Sequence, residues 1–534
     1  THGEVNDKNA HPHTDGSGKI AIVHNGIIEN FTSLKEKLKE EGRVFVTDTD
    51  SEVIAHLIAS LYEGDIERAV KQAVQVVRGT YGIVVMHADE PQKLVGARNG
   101  SPLVLGIGDG EMFLASDVTA VVAHTKQVVY IEDGEVVTIS NDGYKTTDVK
   151  DNEIDKKVDF INWELEEIEK GGFAHFMLKE IFEQPESIRR AMQGRTDYEY
   201  ATSHLGGLNM TNAELLNVER VKIIAAGTSY HAGMVAAYLL ESLARVPASA
   251  ELASEVRYRN PIVERNTVYF AVSQSGETAD TLYAMRELQR KGARVLGICN
   301  VVGATIPRES DGGVYIHSGP EIAVASTKAF TSQLTAFYLF ALLIARMRDM
   351  SYENGVQFLD ALEGVPDAVS GVLLNQQDHI MELARKYSDA EDFLFLGRGI
   401  NYPVALEAAL KLKEVSYIHA EGYSAAEIKH GPIALINEVT PSVFLVPDDG
   451  LRNKVISNMK EVKARSGKVI AVAVEGDKDV AEIADDMITV PRTLEVMYPF
   501  LMVVPLQLLS YYMALELGRN VDQPRNLAKS VTVE

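Results

Sequence analysis

Val268-Tyr269-Phe270-Ala271-Val272-Ser273-Gln274-Ser275-Gly276-Glu277-Thr278 decides the fold of this 534-residue chain. The apolar run at its start reads as a strand buried on both faces. A polar turn with one glycine follows, and helical spacing begins near Thr278. A strand that empties into such a turn and then a helix is one unit of a parallel, doubly wound sheet. Hydroxyls and N–H groups at the start of a helix suit a dianionic phosphate. Ser and Thr are also ordinary N-caps, and the turn alone does not choose between the two.

The unit is repeated. Residues 221–227 (Val-Lys-Ile-Ile-Ala-Ala-Gly) correspond to 393–397 (Phe-Leu-Phe-Leu-Gly), and 254–258 correspond to 426–430. In the same order 268–272 matches 443–447, and 294–299 matches 468–473. The run 314–316 with Glu321 matches 488–490 with Glu495. Five elements recurring at an offset of about 170 to 175 residues describe a duplicated α/β domain. The copies diverge at the turn after the third element, where the second carries Pro447-Asp448-Asp449, which would repel phosphate. Gly227-Thr228-Ser229 gives the first copy another small-residue turn.

Upstream the pattern changes. Helical spacing over 31–40 and 51–62, with short strands over 19–23, 83–86, 94–96, 103–106, 113–115, 128–131 and 135–139, is α+β composition. Asn25-Gly26 is a strong hairpin dipeptide. The reading divides the chain into an α+β domain over 1–147 and a charged connecting region over 148–212. A first α/β domain over 213–350, a helical connector over 351–380 and a second α/β domain with its tail over 381–534 follow.

The chain carries 52 basic and 76 acidic side chains, a formal net charge of −24. That excess argues against nucleic acid as a partner and makes any anion site a local exception. One cysteine, Cys299, cannot form an internal disulfide, and no secretory signal opens the sequence. The longest apolar stretch, 336–345, is half of the ~20 residues needed to span a bilayer. These features read as a soluble, cytoplasmic protein without a membrane segment. Starting at Thr1, the chain reads as a processed product or a fragment.

Residues 273–281 resemble the sugar-phosphate loop of sugar isomerase (SIS) domains, and Ala325-Ser326-Thr327-Lys328-Ala329-Phe330-Thr331 is similar to a second segment lining that pocket. Leu410-Lys411-Leu412-Lys413-Glu414, Glu427-Ile428-Lys429-His430-Gly431-Pro432 and the tail 522–534 resemble the glucosamine-6-phosphate synthase family. Thr1-His2-Gly3, residues 9–13, His24-Asn25-Gly26 and Thr49-Asp50-Ser51-Glu52 resemble its N-terminal-nucleophile glutaminase domain.

The resemblance implies conversion of fructose 6-phosphate and glutamine into glucosamine 6-phosphate and glutamate, the first step of amino-sugar biosynthesis. It implies that Glu414 moves a proton between C1 and C2, a task suited to a positioned carboxylate. Glu407, Lys411 and Glu414 share a helix face after Pro403, whereas Lys413 points elsewhere. His430 is implied to open the sugar ring from the neighbouring subunit, hence a homodimer, and Lys529 to form an imine with the C2 carbonyl. Thr228, Ser229, Ser273, Gln274, Ser275, Thr278 and Ser326 would hold the sugar phosphate. Asn25 and the Gly26 N–H would form an oxyanion hole, with Thr1, His2 and Asp50 near the glutamine. No cofactor is called for. His2, His11, His13 and His24 lack a Cys or acidic partner at ligand spacing, which argues against zinc.

The sequence departs from the family at its start. The family's glutaminase nucleophile is an N-terminal cysteine, while Thr1-His2-Gly3 matches a segment inside that domain. The expectation is therefore a chain lacking the N-terminal segment, unable to hydrolyse glutamine, with residues 1–139 partly unfolded. Trp163 does not replace the family's gating tryptophan. A non-catalytic sugar-phosphate sensor is the alternative reading, and an amidotransferase making phosphoribosylamine is opposed by the duplication.

Overall fold

The apolar runs of the duplicated region form two five-stranded sheets, every neighbouring pair parallel. The computed structural model describes residues 3–4, 6–161 and 169–531. Thr1, His2 and Trp163 lie outside the described residues. The chain forms two units, one of residues 1–168 with 277–279 and 531–534, the other of 169–276 with 280–530.

In the first unit, one antiparallel sheet runs in the order His13–Thr14, Ile20–Ile28, Gly79–His87, Leu94–Asn99, Glu135–Ser140, Gly143–Asp148. A second has the order Asp159–Phe160, Gln127–Ile131, Leu103–Ile107, Met112–Ala115. Helices Asp50–Leu61 and Ile66–Val76 bury Ile54, Ile58 and Val70 in one core with Ile22, Ile83 and Val85 of the larger sheet. Each such side chain contributes ~1.5–3 kcal/mol by leaving water. Against the expectation of partial unfolding, the described residues up to 139 form sheets and helices that close a core. The hairpin expected at Asn25-Gly26 is also absent. Strand Ile20–Ile28 runs through it, pairing Asn25 with Gly82 and Gly26 with Tyr81. Gly26 has φ +149°, and a Cβ there would meet Thr80 O at 2.1 Å, so this glycine serves close strand approach.

In the second unit the first sheet has the order Ala248–Leu252, Arg220–Ala225, Thr267–Ser273, Val295–Cys299, Gly313–Tyr315. The second repeats it with His419–Ser424, Asp392–Gly397, Pro441–Val446, Lys468–Val474, Asp486–Val490. The chain goes from Arg220–Ala225 out to the Ala248–Leu252 edge, then returns to Thr267–Ser273 on the other side. The switch point, where an open parallel sheet leaves a crevice, therefore lies between Arg220–Ala225 and Thr267–Ser273. Register pairs Ala225 with Val272, so the turns that follow leave the same sheet edge side by side.

Helices Phe176–Phe182 and Gln184–Met192 bury Met177, Ile181 and Ile188 in the same core as both sheets. The charged surface of this stretch hid that packing from the sequence. Lys328–Arg348 and Glu495–Glu516 are apolar and long enough to cross a membrane by composition, but their most apolar windows are 100% and 94% buried within the protein. They are helices of the core.

Candidate active site

The first copy builds a tight polar turn at the end of its central strand. Strand Thr267–Ser273 ends at Ser273, and the chain folds back so that the Gly276 N–H donates to Ser273 Oγ at 3.0 Å. Ser273 Oγ and Ser275 Oγ lie 3.5 Å apart. Gly276 has φ +70°, and a Cβ there would fall 2.7 Å from the Ala304 Cβ. The turn is tied to its neighbour by Asn300 N–H donating to Gln274 O at 3.0 Å and Ile306 N–H to Gly276 O at 2.9 Å. Thr278 stands just ahead of helix Ala279–Arg290. Beside it, Gly227 at φ +52° opens helix Gly227–Leu239, whose first N–H groups have no partner within the helix. Ser229 Oγ accepts a 2.9 Å bond from Gln333 Nε2.

The second copy contributes helix Tyr402–Ser416, which starts with Pro403 in its first turn, where a missing N–H costs nothing. Its Glu407, Lys411 and Glu414 do share a face, but not as a solvated ion pair. Lys411 is 1% exposed and Glu407 0%. Lys411 Nζ lies 2.6 Å from Glu414 Oε2 and 3.4 Å from Glu407 Oε1. It also donates to Thr228 Oγ1 at 3.0 Å, and that hydroxyl donates to Glu407 Oε1 at 2.9 Å. The other Glu407 oxygen is 2.8 Å from His231 Nδ1. Burial disfavours a charged Lys411, but the charges of Glu407 and Glu414, and more distantly Glu321, outweigh it and raise its pKa. Lys411 is thus a fixed cation. Lys413, by contrast, is exposed.

A second charged group surrounds Lys529. Its Nζ donates to Glu321 Oε2 at 2.7 Å, and Ser326 Oγ donates to the same oxygen at 2.9 Å. Glu321 Oε1 accepts from the Thr327 and Ala329 N–H groups at 2.9 and 3.0 Å. Burial alone would lift the Glu321 pKa, yet the Lys529 charge and these bonds hold it down to about 2. Lys529, close to the end of the sequence, is therefore anchored. His430 ends the short helix Ala425–His430, exposed, and none of these bonds reaches it.

The structure thus joins Thr228, Lys411 and Glu414 in one network and Ser326 and Lys529 in another. It gathers Ser273, Gln274 and Ser275 at the turn and leaves His430 apart. Sequence reasoning missed Glu321 and His231 as site residues. Glu321 was visible only as a repeat marker, although an acid directly ahead of the Ser326-bearing segment is a signal.

In the first unit, Asp50 is buried at the start of helix Asp50–Leu61, with Oδ2 accepting the Ile28 N–H at 2.8 Å. This brings it to the half of strand Ile20–Ile28 that holds Asn25 and Gly26. His24 is buried 2.9 Å from Ser51 Oγ, and burial, against the pull of Asp50, lowers its pKa to about 4. It is neutral at physiological pH.

A SIS domain family model matches residues 214–343 and 386–517, and a glutamine amidotransferase domain model matches residues 4–123. A protein of Chlorobaculum tepidum named glutamine–fructose-6-phosphate aminotransferase [isomerizing] is 52% identical over 538 residues, covering 100% of this chain and 88% of the relative. One of the same name from Thermus thermophilus is 49% identical over 535 residues, with the same coverage of 100% and 88%. Among solved structures, the C-terminal domain of glucosamine-fructose-6-phosphate aminotransferase from Francisella tularensis superposes with a TM-score of 0.63 at 40% identity, covering 66% of this chain and 100% of that one. A glucosamine-6-phosphate deaminase from Thermotoga maritima gives 0.53 at 25% identity, covering 67% and 100%.

Proposed function

Because the chain belongs to the glutamine–fructose-6-phosphate aminotransferase family, we propose that its second unit binds fructose 6-phosphate at the 273–276 turn and converts it to glucosamine 6-phosphate. The observation that carries this is the buried Lys411, which bonds Thr228 beside the first copy's turn at 3.0 Å while pairing with Glu414 at 2.6 Å. It ties the helix bearing the proposed base to the edge bearing the proposed anion site.

In this reading Ser273, Gln274, Ser275 and Thr278, with Ser229 and the first N–H groups of helix Gly227–Leu239, hold the phosphate. Thr228 acts mainly through Lys411. His430 of the partner subunit in a homodimer opens the ring. Lys529 loses a proton to Glu321, and its nitrogen attacks C2. A C–N bond forms, the C–O bond breaks, and the oxygen leaves as water. Ammonia then displaces Lys529, and Glu414 carries a proton between C1 and C2. The fixed charge of Lys411 orients Glu414 and stabilises negative charge developing on the sugar oxygens. A sugar-phosphate sensor would have no use for Glu414 and Lys529 together.

Glutamine is the proposed nitrogen source, with Asn25 and Gly26 as oxyanion donors and Thr1, His2 and Asp50 at the substrate. The thiol in these 534 residues is Cys299, buried in the first five-stranded sheet. The proposed setting is the cytoplasm. The test compares ammonium with glutamine as donor to fructose 6-phosphate, in the chain as given and in Glu414→Gln. Glucosamine 6-phosphate from ammonium, falling at least ~100-fold in the variant, is the expected outcome. Equal product from Glu414→Gln removes the proposed base.

A further inference from the structure

Glu180, on helix Phe176–Phe182, is a buried carboxyl that the reaction above does not use. Its Oε1 accepts the N–H groups of Ile322 and Ala323 at 2.6 and 3.1 Å, the two residues after Glu321. Its Oε2 is buried and has no hydrogen-bond partner among the described residues. The helix is bound to the tail that carries Lys529. Asp522 accepts the Phe176 and Met177 N–H groups at 3.0 and 2.8 Å, and its carbonyl accepts the Val324 N–H at 3.0 Å. One helix thus grips both the loop bearing Glu321 and the tail bearing its partner.

We propose that Glu180 is a positioning residue for Lys529: a neutral carboxyl that fixes the 321–329 loop and leaves Glu321 as the carboxylate that takes the Lys529 proton. The inference rests on the imine reading and adds to it a residue and a protonation state. A lone pair with no donor is costly for a buried carboxylate but tolerable for a carboxylic acid. The charges around Glu180 explain the choice. Burial first, and the Glu321 charge second, push its pKa up to about 8, against the pull of Lys529 and Lys328. The cations on neighbouring elements are otherwise engaged. Lys328 pairs with Glu183 at 2.6 Å, Lys179 bonds the Glu169 carbonyl and lies 3.4 Å from Glu183, and Lys411 belongs to Glu407 and Glu414. Asp522 spends its side chain on the helix N–H groups.

The consequence is an alkaline limb. While Glu180 is neutral, the proton moves from Lys529 Nζ to Glu321 Oε2, leaving an uncharged amine beside an uncharged acid. Once Glu180 ionises, its charge repels the Glu321 carboxylate, the loop it fixes is pushed away, and Glu321 no longer stands where it can take the Lys529 proton. A residue that only supported the fold would not give this dependence.

The test traps the imine directly. The full chain is incubated with saturating fructose 6-phosphate and cyanoborohydride from pH 6.5 to 9.5, and the initial rate of sugar addition to Lys529 is read by peptide mass. The wild type is expected to slow about tenfold from pH 7 to 9.5, with its midpoint near pH 8, where Glu180 loses its proton. Glu180→Gln, a permanently neutral mimic, is expected to match the wild type within about threefold at pH 7 and to lose the alkaline limb. An unchanged limb in Glu180→Gln, no limb in the wild type, or a Glu180→Gln rate at pH 7 more than about tenfold below the wild type would each overturn the proposal. Absence of any adduct at Lys529 in the wild type removes the imine reading itself. An adduct with the limb unaltered by Glu180→Gln removes only the role of Glu180.

Discussion

The two sheets of the second unit have the same strand order and start alike, yet they differ in the turn across the switch point, where only the first is proposed to hold an anion. In both, the first strand ends in a glycine-led turn, with Gly227 at φ +52° and Gly399 at φ +53°. The backbone of that turn has been kept. The turn across the switch point has not. In the first copy it is Ser273-Gln274-Ser275-Gly276. In the second it is Pro447-Asp448-Asp449-Gly450, where Asp448 pairs with Arg492 at 2.9 Å and Asp449 accepts the Leu451 N–H at 2.8 Å. Burial and the charges of Glu495 and Asp448 raise the Asp449 pKa. The second copy has instead placed charge on its first helix, where Glu407, Lys411 and Glu414 serve the partner sheet's edge. In the proposed reading, duplication supplied two like frames and the chemistry is divided between them.

The sharpest way to break that division is to cut the joint. Glu407→Ala leaves Lys411 buried beside Thr228 with one carboxylate fewer, and removing one partner of a buried pair costs about 3–5 kcal/mol. A fall in Tm of several degrees and near-complete loss of product formation are expected, read by calorimetry and a glucosamine 6-phosphate assay. Retained stability and activity would show that the copies work separately.

Next in size is Gly276→Ala. The left-handed backbone and the 2.7 Å approach to Ala304 together predict a cost of about 1–2 kcal/mol at the turn, hence roughly a tenfold rise in KM for fructose 6-phosphate with kcat less affected. The same assay on Gly399→Ala, strained alike but in the copy without a cradle, should leave KM nearly unchanged.

A smaller effect separates the buried acids by pH. The folded-state pKa of Glu180 is raised to about 8, so between the ordinary carboxylate range and pH 8 the folded protein binds more protons than the unfolded chain. Its contribution to stability therefore falls as pH rises through that window. Glu321, held down to about 2, contributes stability above the ordinary range and loses it only as pH falls toward 2. Glu180→Gln should raise Tm at pH 8.5 by a few degrees and leave it unchanged at pH 4. A uniform shift at both values would contradict the assignment. Smallest of all, Asp449→Asn should change KM by less than about twofold, since the second turn holds no substrate in this account.

How much of this was legible in the sequence depended on whether the signal was local. The duplicated strands declared themselves by apolar runs, and 268–272 lies within the observed Thr267–Ser273. The edge strands Ala248–Leu252 and His419–Ser424 carry Ser, Glu, Gly and Tyr on half-exposed backbone, and no apolar run marked them. The i, i+4, i+7 face of Glu407, Lys411 and Glu414 was readable, but its burial was not, because burial is set by Thr228 and His231 some 180 residues away. Glu180 sat in a stretch read as a charged connecting region: its neighbours Lys179 and Glu183 look like surface charge, although Lys179 is buried and Glu183 pairs with the buried Lys328. Asn25-Gly26 misled for the opposite reason, since a dipeptide that favours a hairpin was overruled by an antiparallel partner needing room for Thr80.

The seat of the phosphate decides between the two copies. A crystal structure of this chain soaked with fructose 6-phosphate tests it most directly. Phosphate oxygens within hydrogen-bond distance of residues 273–276, with C2 within reach of Lys529 Nζ, are the expected result. Phosphate seated at residues 447–450, or a sugar carbon chain pointing away from Lys529 and Glu414, would contradict it.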